Sequence, residues 1–310
     1  MNEVDISIVI PIYFNQGSIF KTYEKIRDEI FPAFPGLAFE IVMVDDGSKD
    51  ESYSEMLRAK EADPRVSLVR FTRNFGQVPA IYAGYAKARG RGVVNIAADL
   101  QEPAELLVQI IRSFLDGQAP VVAGRRVSRD ESLYRKRSSQ LFYRLMRRLS
   151  FPEMPDGGFD IVLVDQAVKQ RLIESSESNP FWQGQILWLG YPVKYIPYHR
   201  LRREVGKSRW TFGKKLKYLL DGVLNYSYAP LRLFSAIGIA SFGLGLLYSL
   251  VIVVSYFMGK SPFEGWAPIM IVVLLFSGLQ LMLMGLIGEY IWRILDQVKA
   301  RPRYVIRDES

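Results

Sequence analysis

The chain has no cysteine and a single histidine among its 310 residues. The first absence excludes disulfides and thiolate metal sites, and it permits a reducing compartment without proving one. The second argues against histidine-based zinc sites and Ser-His-Asp hydrolase chemistry, because His199 has no second histidine and no Ser/Asp setting around it. Charge is also missing from one long stretch. Between Leu233 and Gly288 only Lys260 and Glu264 carry it, although the whole chain holds 40 basic and 32 acidic residues. Two apolar runs fill that stretch, at 233–258 and 267–288. Each reaches the roughly 20 residues that cross a bilayer core as a helix. A buried helical hairpin in a soluble protein is the competing reading, but uncharged runs of about 18 residues or more rarely belong to such cores.

The flanks of these runs are basic. Lys214, Lys215, Lys217 and Arg232 precede the first; Arg293, Lys299, Arg301, Arg303 and Arg307 follow the second; the link GKSPFEGW is neutral. Positive flanks stay cytoplasmic, so the expected arrangement is an integral membrane hairpin with both termini in the cytoplasm. The net charge of +8 then reflects attraction to anionic headgroups in a lipid bilayer. No nucleic-acid motif accompanies it, so no nucleic-acid partner is expected. Gly238, Gly243 and Gly245 would permit close helix packing, which is compatible with a homo-oligomer. The expected divisions are a catalytic domain at 1–210, an interfacial amphipathic region at 211–232, a hairpin at 233–295 with spans of about 233–258 and 267–290, and a basic tail at 296–310. Lysines among leucines and tyrosines across 212–228 suit a helix lying along headgroups.

The first half of the chain alternates two patterns. Strands are predicted at 5–12, 39–44, 66–71, 93–98 and 121–124, with another at 191–198; helices are predicted at 18–31, 50–62, 77–89 and 103–115. Such repeats imply an α/β, Rossmann-like, mostly parallel sheet with helices on both faces. Ligands bind beyond the carboxyl ends of strands in these sheets. Three polar groups fall there: Tyr13–Asn15, Asp45–Asp46 and Asp99–Gln101. Each has a plain reading by itself. DDGS is a common turn, and Asp99 suits a cap for the helix beginning near Pro103. Together they make a rim of carboxylates and an amide. Hard oxygen donors of that kind suit Mg2+ or Mn2+. Mg2+ takes one or two carboxylates and completes its shell with water and substrate phosphates, so Asp99 with Gln101 would serve a diphosphate-bearing substrate. Residues 129–150 are basic and amphipathic, with an apolar stripe of Leu141, Phe142, Leu145, Met146 and Leu149.

Six stretches then occur in a telling order: SIVIPIYFN, VDDGSKD, RNFGQ followed by AGYAKARG, ADLQEP, and RREVGKSRW just before the apolar runs. The chain resembles family 2 glycosyltransferases with the GT-A fold. Within them it is similar to the polyisoprenyl-phosphate branch, which holds dolichol-phosphate mannose synthases and bacterial undecaprenyl-phosphate glucosyltransferases. The likeness covers essentially the whole chain. It implies metal-dependent, inverting transfer of a hexose from a nucleotide-sugar donor, by default UDP-glucose, to a polyisoprenyl phosphate acceptor at the cytoplasmic face of a bacterial-type inner membrane.

The same resemblance implies roles for particular residues. Pro11, Tyr13, Asn15, Asp45, Asp46, Arg73, Asn74, Gly76 and Gln77 would bind the nucleotide. Asp99 and Gln101 would hold Mg2+ or Mn2+, with Asp99 counted as catalytic. Ala97 departs from the pattern, since many relatives carry an aspartate there. Arg126, Arg135, Ser139, Arg203, Ser208 and Arg209 would bind the acceptor or diphosphate phosphates; Arg135 and Ser139 lie four apart and would share a helix face. In PDGGFDIVLVD, Gly158 stands where relatives place an acid, and Asp160 is the catalytic candidate instead. Two other functions compete. A processive polysaccharide synthase would carry Gln-x-x-Arg-Trp and more spans, whereas this chain has FWQGQILW and two runs. A non-catalytic nucleotide-sugar-binding membrane anchor is the other.

Overall fold

Apolar runs without helical spacing become the central strands. β1 (Ile6–Ile12) and β2 (Phe39–Asp45) are buried along nearly their whole length, as strands covered on both faces must be. A computed structural model describes residues 3–99, 101–127, 143–144, 146–175, 177, 181–201, 221–258 and 267–310. The elements that follow are α1 (Ile19–Lys25), α2 (Ser52–Ala62), β3 (Val66–Phe71), α3 (Gln77–Lys87), β4 (Gly92–Asn95), α4 (Ala104–Leu115) and β5 (Val121–Arg126). Next come β6 (Phe159–Asp165), α5 (Gln166–Glu174), α6 (Trp182–Trp188) and β7 (Val193–Tyr198). Two long helices, α7 (Ala229–Phe257) and α8 (Ala267–Val298), precede a last strand, β8 (Ile306–Glu309).

The eight strands lie in the order β7-β5-β6-β4-β1-β2-β3-β8. Four of the seven ladders are parallel. This is the GT-A-like, mostly parallel α/β sheet expected from the sequence. The chain runs outward from β1 through β2 to β3, then returns to place β4 on the other side of β1. That reversal is the point where open α/β sheets bind ligands. Pro11 marks it. Val9 accepts from the Ile96 N–H on the β4 side, while Ile12 accepts from Asp46 on the β2 side. Alternation therefore turns residue 11 toward β4, and proline has no N–H to continue that ladder. The β1–β4 register ends at Val9 opposite Asn95, and the two strands part. Close packing supports them from behind: a Cβ at Gly84 of α3 would stand 2.2 Å from Val9 Cγ1.

Several elements differ from the sequence expectation. β4 stops at Asn95, short of Ala98, because Asn95 turns its amide to the Asp160 carbonyl and accepts from Tyr85. The chain then leaves the ladder, and the Ala98 carbonyl accepts from Ser18 Oγ at 2.6 Å. The helix expected over 18–31 narrows to α1, followed by a π turn at Ile26–Ile30 and a 3-10 turn at Phe31–Ala33. Pro32 cannot supply the N–H that an α-helix would need there. PDGGFDIVLVD, noted earlier only for its acids, supplies β6, which runs antiparallel between β4 and β5. The tail does not end as a free basic extension. Its last residues form β8, and residues 301–310 share one compact unit with 1–222. The first part of the expected interfacial segment, 211–220, lies outside the described residues.

Residues 223–300 form the second unit. Its helices are 29 and 32 residues long, and each exceeds the bilayer requirement. Their apolar side chains are bare: Ile239 is 73 % exposed, Phe242 72 % and Leu281 68 %. The soluble-core reading needs those side chains buried against protein, and they are not. Apolar surface on this scale requires a nonaqueous neighbour. The chain is therefore expected to stay in the membrane pellet through an alkaline carbonate wash and to leave it only in detergent. Release into the carbonate supernatant would overturn the membrane reading.

Candidate active site

The rim beyond β1, β2, β3 and β4 is held by one buried carboxylate. Asp46 is 2 % exposed. Its Oδ2 accepts from Asn74 Nδ2 at 2.7 Å and from the Gly76 N–H at 2.9 Å, while Oδ1 accepts from the Phe75 N–H at 2.6 Å. The loop after β2 thereby clasps the loop after β3. Burial raises the Asp46 pKa to about 6 against the pull of those donors, with Asp45 adding repulsion. Gly47 makes the approach possible. Its φ is +72°, and a Cβ there would meet the Arg73 carbonyl carbon at 2.5 Å. Asp45 is fully buried; its Oδ1 accepts from the Ser48 N–H at 2.9 Å, and Oδ2 faces Arg70 Nε at 3.2 Å. Both acids thus organise the rim from inside.

The loop after β1 is fixed against the same turn. Phe14 adopts φ 54° and donates its N–H to Ser48 Oγ at 3.0 Å, and the Asn15 N–H donates to Ser52 Oγ at 2.9 Å. Asn15 Oδ1 in turn accepts from the Tyr13 N–H at 2.9 Å. Pro11, Tyr13 and Asn15 therefore share a rim with Asp45, Asp46, Arg73, Asn74 and Gly76. Gln77 opens α3 directly behind that loop.

Across the crevice, Asp99 is 6 % exposed. It is not the cap of α4. That helix has Pro103 at its N-cap and no side-chain capping bond. Asp99 Oδ1 accepts from the Gln101 N–H at 3.4 Å, and Oδ2 lies 3.8 Å from Arg200 Nη2. Gln101 Nε2 donates to the Leu201 carbonyl at 3.1 Å, tying the acidic loop to the end of β7. Half-buried Glu102 joins the group: burial and then Asp99 push its carboxyl up to about 8, with Arg200 opposing. A cavity of about 30 Å3 abuts Ala97, Lys25 and Glu102, room for about one water.

A divalent ion fits this rim only in an open form. Among the described residues no three His, Asp or Glu side chains gather as a cage. Asp99 and Gln101 instead offer hard oxygens in the manner of Mg2+ sites that substrate phosphates complete.

Asp160, at the start of β6, forms an ion pair with Arg126, at the end of β5. Their antiparallel ladder makes the pairing. Tyr198 closes this corner; burial and then Asp160 and Glu102 raise its pKa. Gly158 has φ +66°, and a side chain there would be strained and would displace the end of Tyr143. His199 follows β7, with Nδ1 3.2 Å from the Val127 carbonyl. Arg135, Ser139, Arg203, Ser208 and Arg209 lie outside the described residues. Glu102, Arg200 and Tyr198 were missed from sequence. Glu102 sat inside ADLQEP, and a third acid in that short rim segment was the available signal; Arg200 and Tyr198 lie about a hundred residues from Asp99 and offered none.

Comparison with known proteins agrees with this geometry. Residues 7–173 match the profile of Glycosyl transferase family 2, and residues 229–294 match the GtrB C-terminal hairpin. The chain is 34 % identical over 98 % of its length, and 94 % of the relative's, to the uncharacterized glycosyltransferase YkcC of Bacillus subtilis. It is 31 % identical over 98 % of its length, and 99 % of the relative's, to the bactoprenol glucosyl transferase of Shigella phage SfV. The crystal structure of mannosyl-3-phosphoglycerate synthase from Rubrobacter xylanophilus shares the fold at a TM-score of 0.50 and 14 % identity, covering 76 % of this chain and 75 % of that one.

The clasp yields a test. Asp46→Ala should speed hydrogen exchange of the Phe75 and Gly76 amides about tenfold or more, and unchanged protection would contradict the assignment. The pH sign is also set. A carboxyl whose native pKa lies above its unfolded value stabilises the fold at low pH, and that contribution fades as pH rises from about 4 through 6. Thermal melts of Asp46→Asn should lack this decline.

Proposed function

Because the chain belongs to glycosyl transferase family 2 and carries the GtrB C-terminal hairpin, we propose that this glycosyltransferase moves one hexose from a nucleotide-sugar, UDP-glucose by default, to a polyisoprenyl phosphate. The observation that carries this reading is the meeting of two loop systems at the β1/β4 switch point. The clasped Asp46–Gly76 pair forms one wall, and the Asp99–Gln101 rim with Arg126 and Arg200 forms the other. Relatives named bactoprenol glucosyl transferase, matched along 97–98 % of this chain, support the acceptor.

The nucleotide would rest against the loops after β1, β2 and β3, whose shapes are set before it arrives. Asp99 and Gln101 would hold Mg2+ or Mn2+, which would offset the charge gathering on the departing diphosphate. Arginines bind phosphate oxygens in forked geometry, and Arg126 and Arg200 stand where phosphates would enter. Asp160 is engaged by Arg126, so its role is to orient that guanidinium. A dedicated base is not needed: a lipid monophosphate, with a second pKa of about 6, is already ionised near neutrality. Positioning and electrostatics then carry the rate. Attack by the acceptor oxygen opposite the leaving diphosphate inverts the anomeric carbon in one displacement.

The membrane part gives the acceptor its place. β8 pairs with β3, which supports a hairpin whose flanking segments lie on one side of the bilayer. Basic residues from Arg293 to Arg307 favour the cytoplasm for that side. The processive alternative loses support at FWQGQILW, where Gln185 is buried and bonded to Tyr82 and Ser175.

Purified protein incubated with undecaprenyl phosphate and a panel of UDP- and GDP-sugars should give a singly glycosylated lipid by mass, and EDTA should abolish it. Asp99→Ala should lower kcat/KM about 100-fold or more. A lengthening polymer, or full activity in both EDTA and the variant, would overturn the proposal.

A further inference from the structure

Strand β8 reaches the donor wall from the far end of the chain. It runs antiparallel to β3, with Arg70 opposite Asp308 and Phe71 opposite Ile306, and the register slips between Arg70 and Phe71. Leu68 and Ser310 exchange hydrogen bonds of 2.8 and 3.0 Å, and the Thr72 N–H donates to the Val305 carbonyl at 3.1 Å. Thr72 is the last residue before the Arg73–Gly76 loop. Side chains extend the contact. The Tyr304 ring stacks on Phe71 at 5.0 Å and 10°, and Phe71 meets Phe75 edge-on at 5.7 Å. The Arg73 guanidinium lies over Phe75 at 4.0 Å. Arg303 covers Tyr82 at 4.6 Å and donates to the Ile173 carbonyl at 3.3 Å.

Asp46 holds this loop from the β2 side through Asn74 and the Phe75 and Gly76 amides. Nothing in that clasp fixes the Phe75 ring or the exit from β3. The tail does both, through backbone at Thr72 and through rings from Tyr304 to Phe71 to Phe75. Stacked and edge-on aromatic pairs of this kind are directional as well as apolar.

We propose that Tyr304 and the Val305–Glu309 strap are positioning elements of the nucleotide-donor loop, so that the segment following the second apolar helix completes the donor site. The strap touches neither phosphate nor sugar; it acts through Phe71, Thr72 and Phe75. A tail that served only to close a sheet edge would act on stability alone. This strap sets the affinity for the donor.

The inference rests on the reading of 73–76 as a donor loop, and one titration separates the two. Full-length protein in detergent with Mg2+ is titrated with UDP and with GDP. A wild type that binds neither removes the reading and this inference together. If it binds, Tyr304→Ala should weaken that binding and raise KM for the nucleotide-sugar about tenfold, while KM for undecaprenyl phosphate stays unchanged. Tyr304→Phe, which keeps the stack, should restore wild-type values. Lys87→Ala breaks the 2.9 Å pair to Glu309 at the opposite end of the strap, and it should alter the melting temperature without altering donor KM. Phe75 and Gly76 amides should exchange faster in Tyr304→Ala. Donor affinity equal to wild type in Tyr304→Ala, or a loss shared equally by Lys87→Ala and by the acceptor KM, would overturn the inference.

Discussion

A carboxylate cut off from water must be met by donors, and Asp46 is met by three of them from one neighbouring loop. Much of the rim follows from that requirement. The Asp46 oxygens draw in Asn74, Phe75 and Gly76, which sets the path of the loop beyond β3. Gly47 must lack a side chain for the two loops to touch. Ser48, freed by the same turn, receives the Phe14 N–H and fixes the loop after β1. The surface proposed to receive the nucleotide is shaped by the chain's own hydrogen bonds, and such preorganisation is where positioning catalysis begins.

The opposite wall follows a different logic. Asp99 and Asp160 put negative charge near one crevice, Glu102 beside them is held toward its neutral form, and Arg126 and Arg200 stand among them. An acidic rim alone would repel a diphosphate. A rim with interleaved guanidiniums and hard oxygen ligands can receive one. A side chain at Gly158 would press on the end of Tyr143, and Asp160 two residues on is turned to Arg126.

The membrane helices and the sheet are linked through the chain's own ends. α7 and α8 expose apolar surface of the kind that lipid covers, and the residues that follow them return as β8. A catalytic domain whose last strand comes after the anchor cannot be completed until the anchor has been made. The hairpin and the sheet are thus joined by covalent continuity at both ends of the hairpin.

Local signals in the chain were enough for the repeated strands, the two spanning runs and the polar residues at Tyr13–Asn15, Asp45–Asp46 and Asp99–Gln101. Apolar periodicity and its interruption are properties of a few consecutive residues. The same locality explains the errors at β4 and α1, where pairing and a proline ended elements that the pattern would have continued. Whether Asp46 faces a ligand or a loop, that Asp160 meets Arg126, and that Tyr304 lies on Phe71 were decided by tertiary structure. Each of these depends on groups brought together across about 30 to more than 200 residues, and separations of that size leave no periodic trace in the sequence.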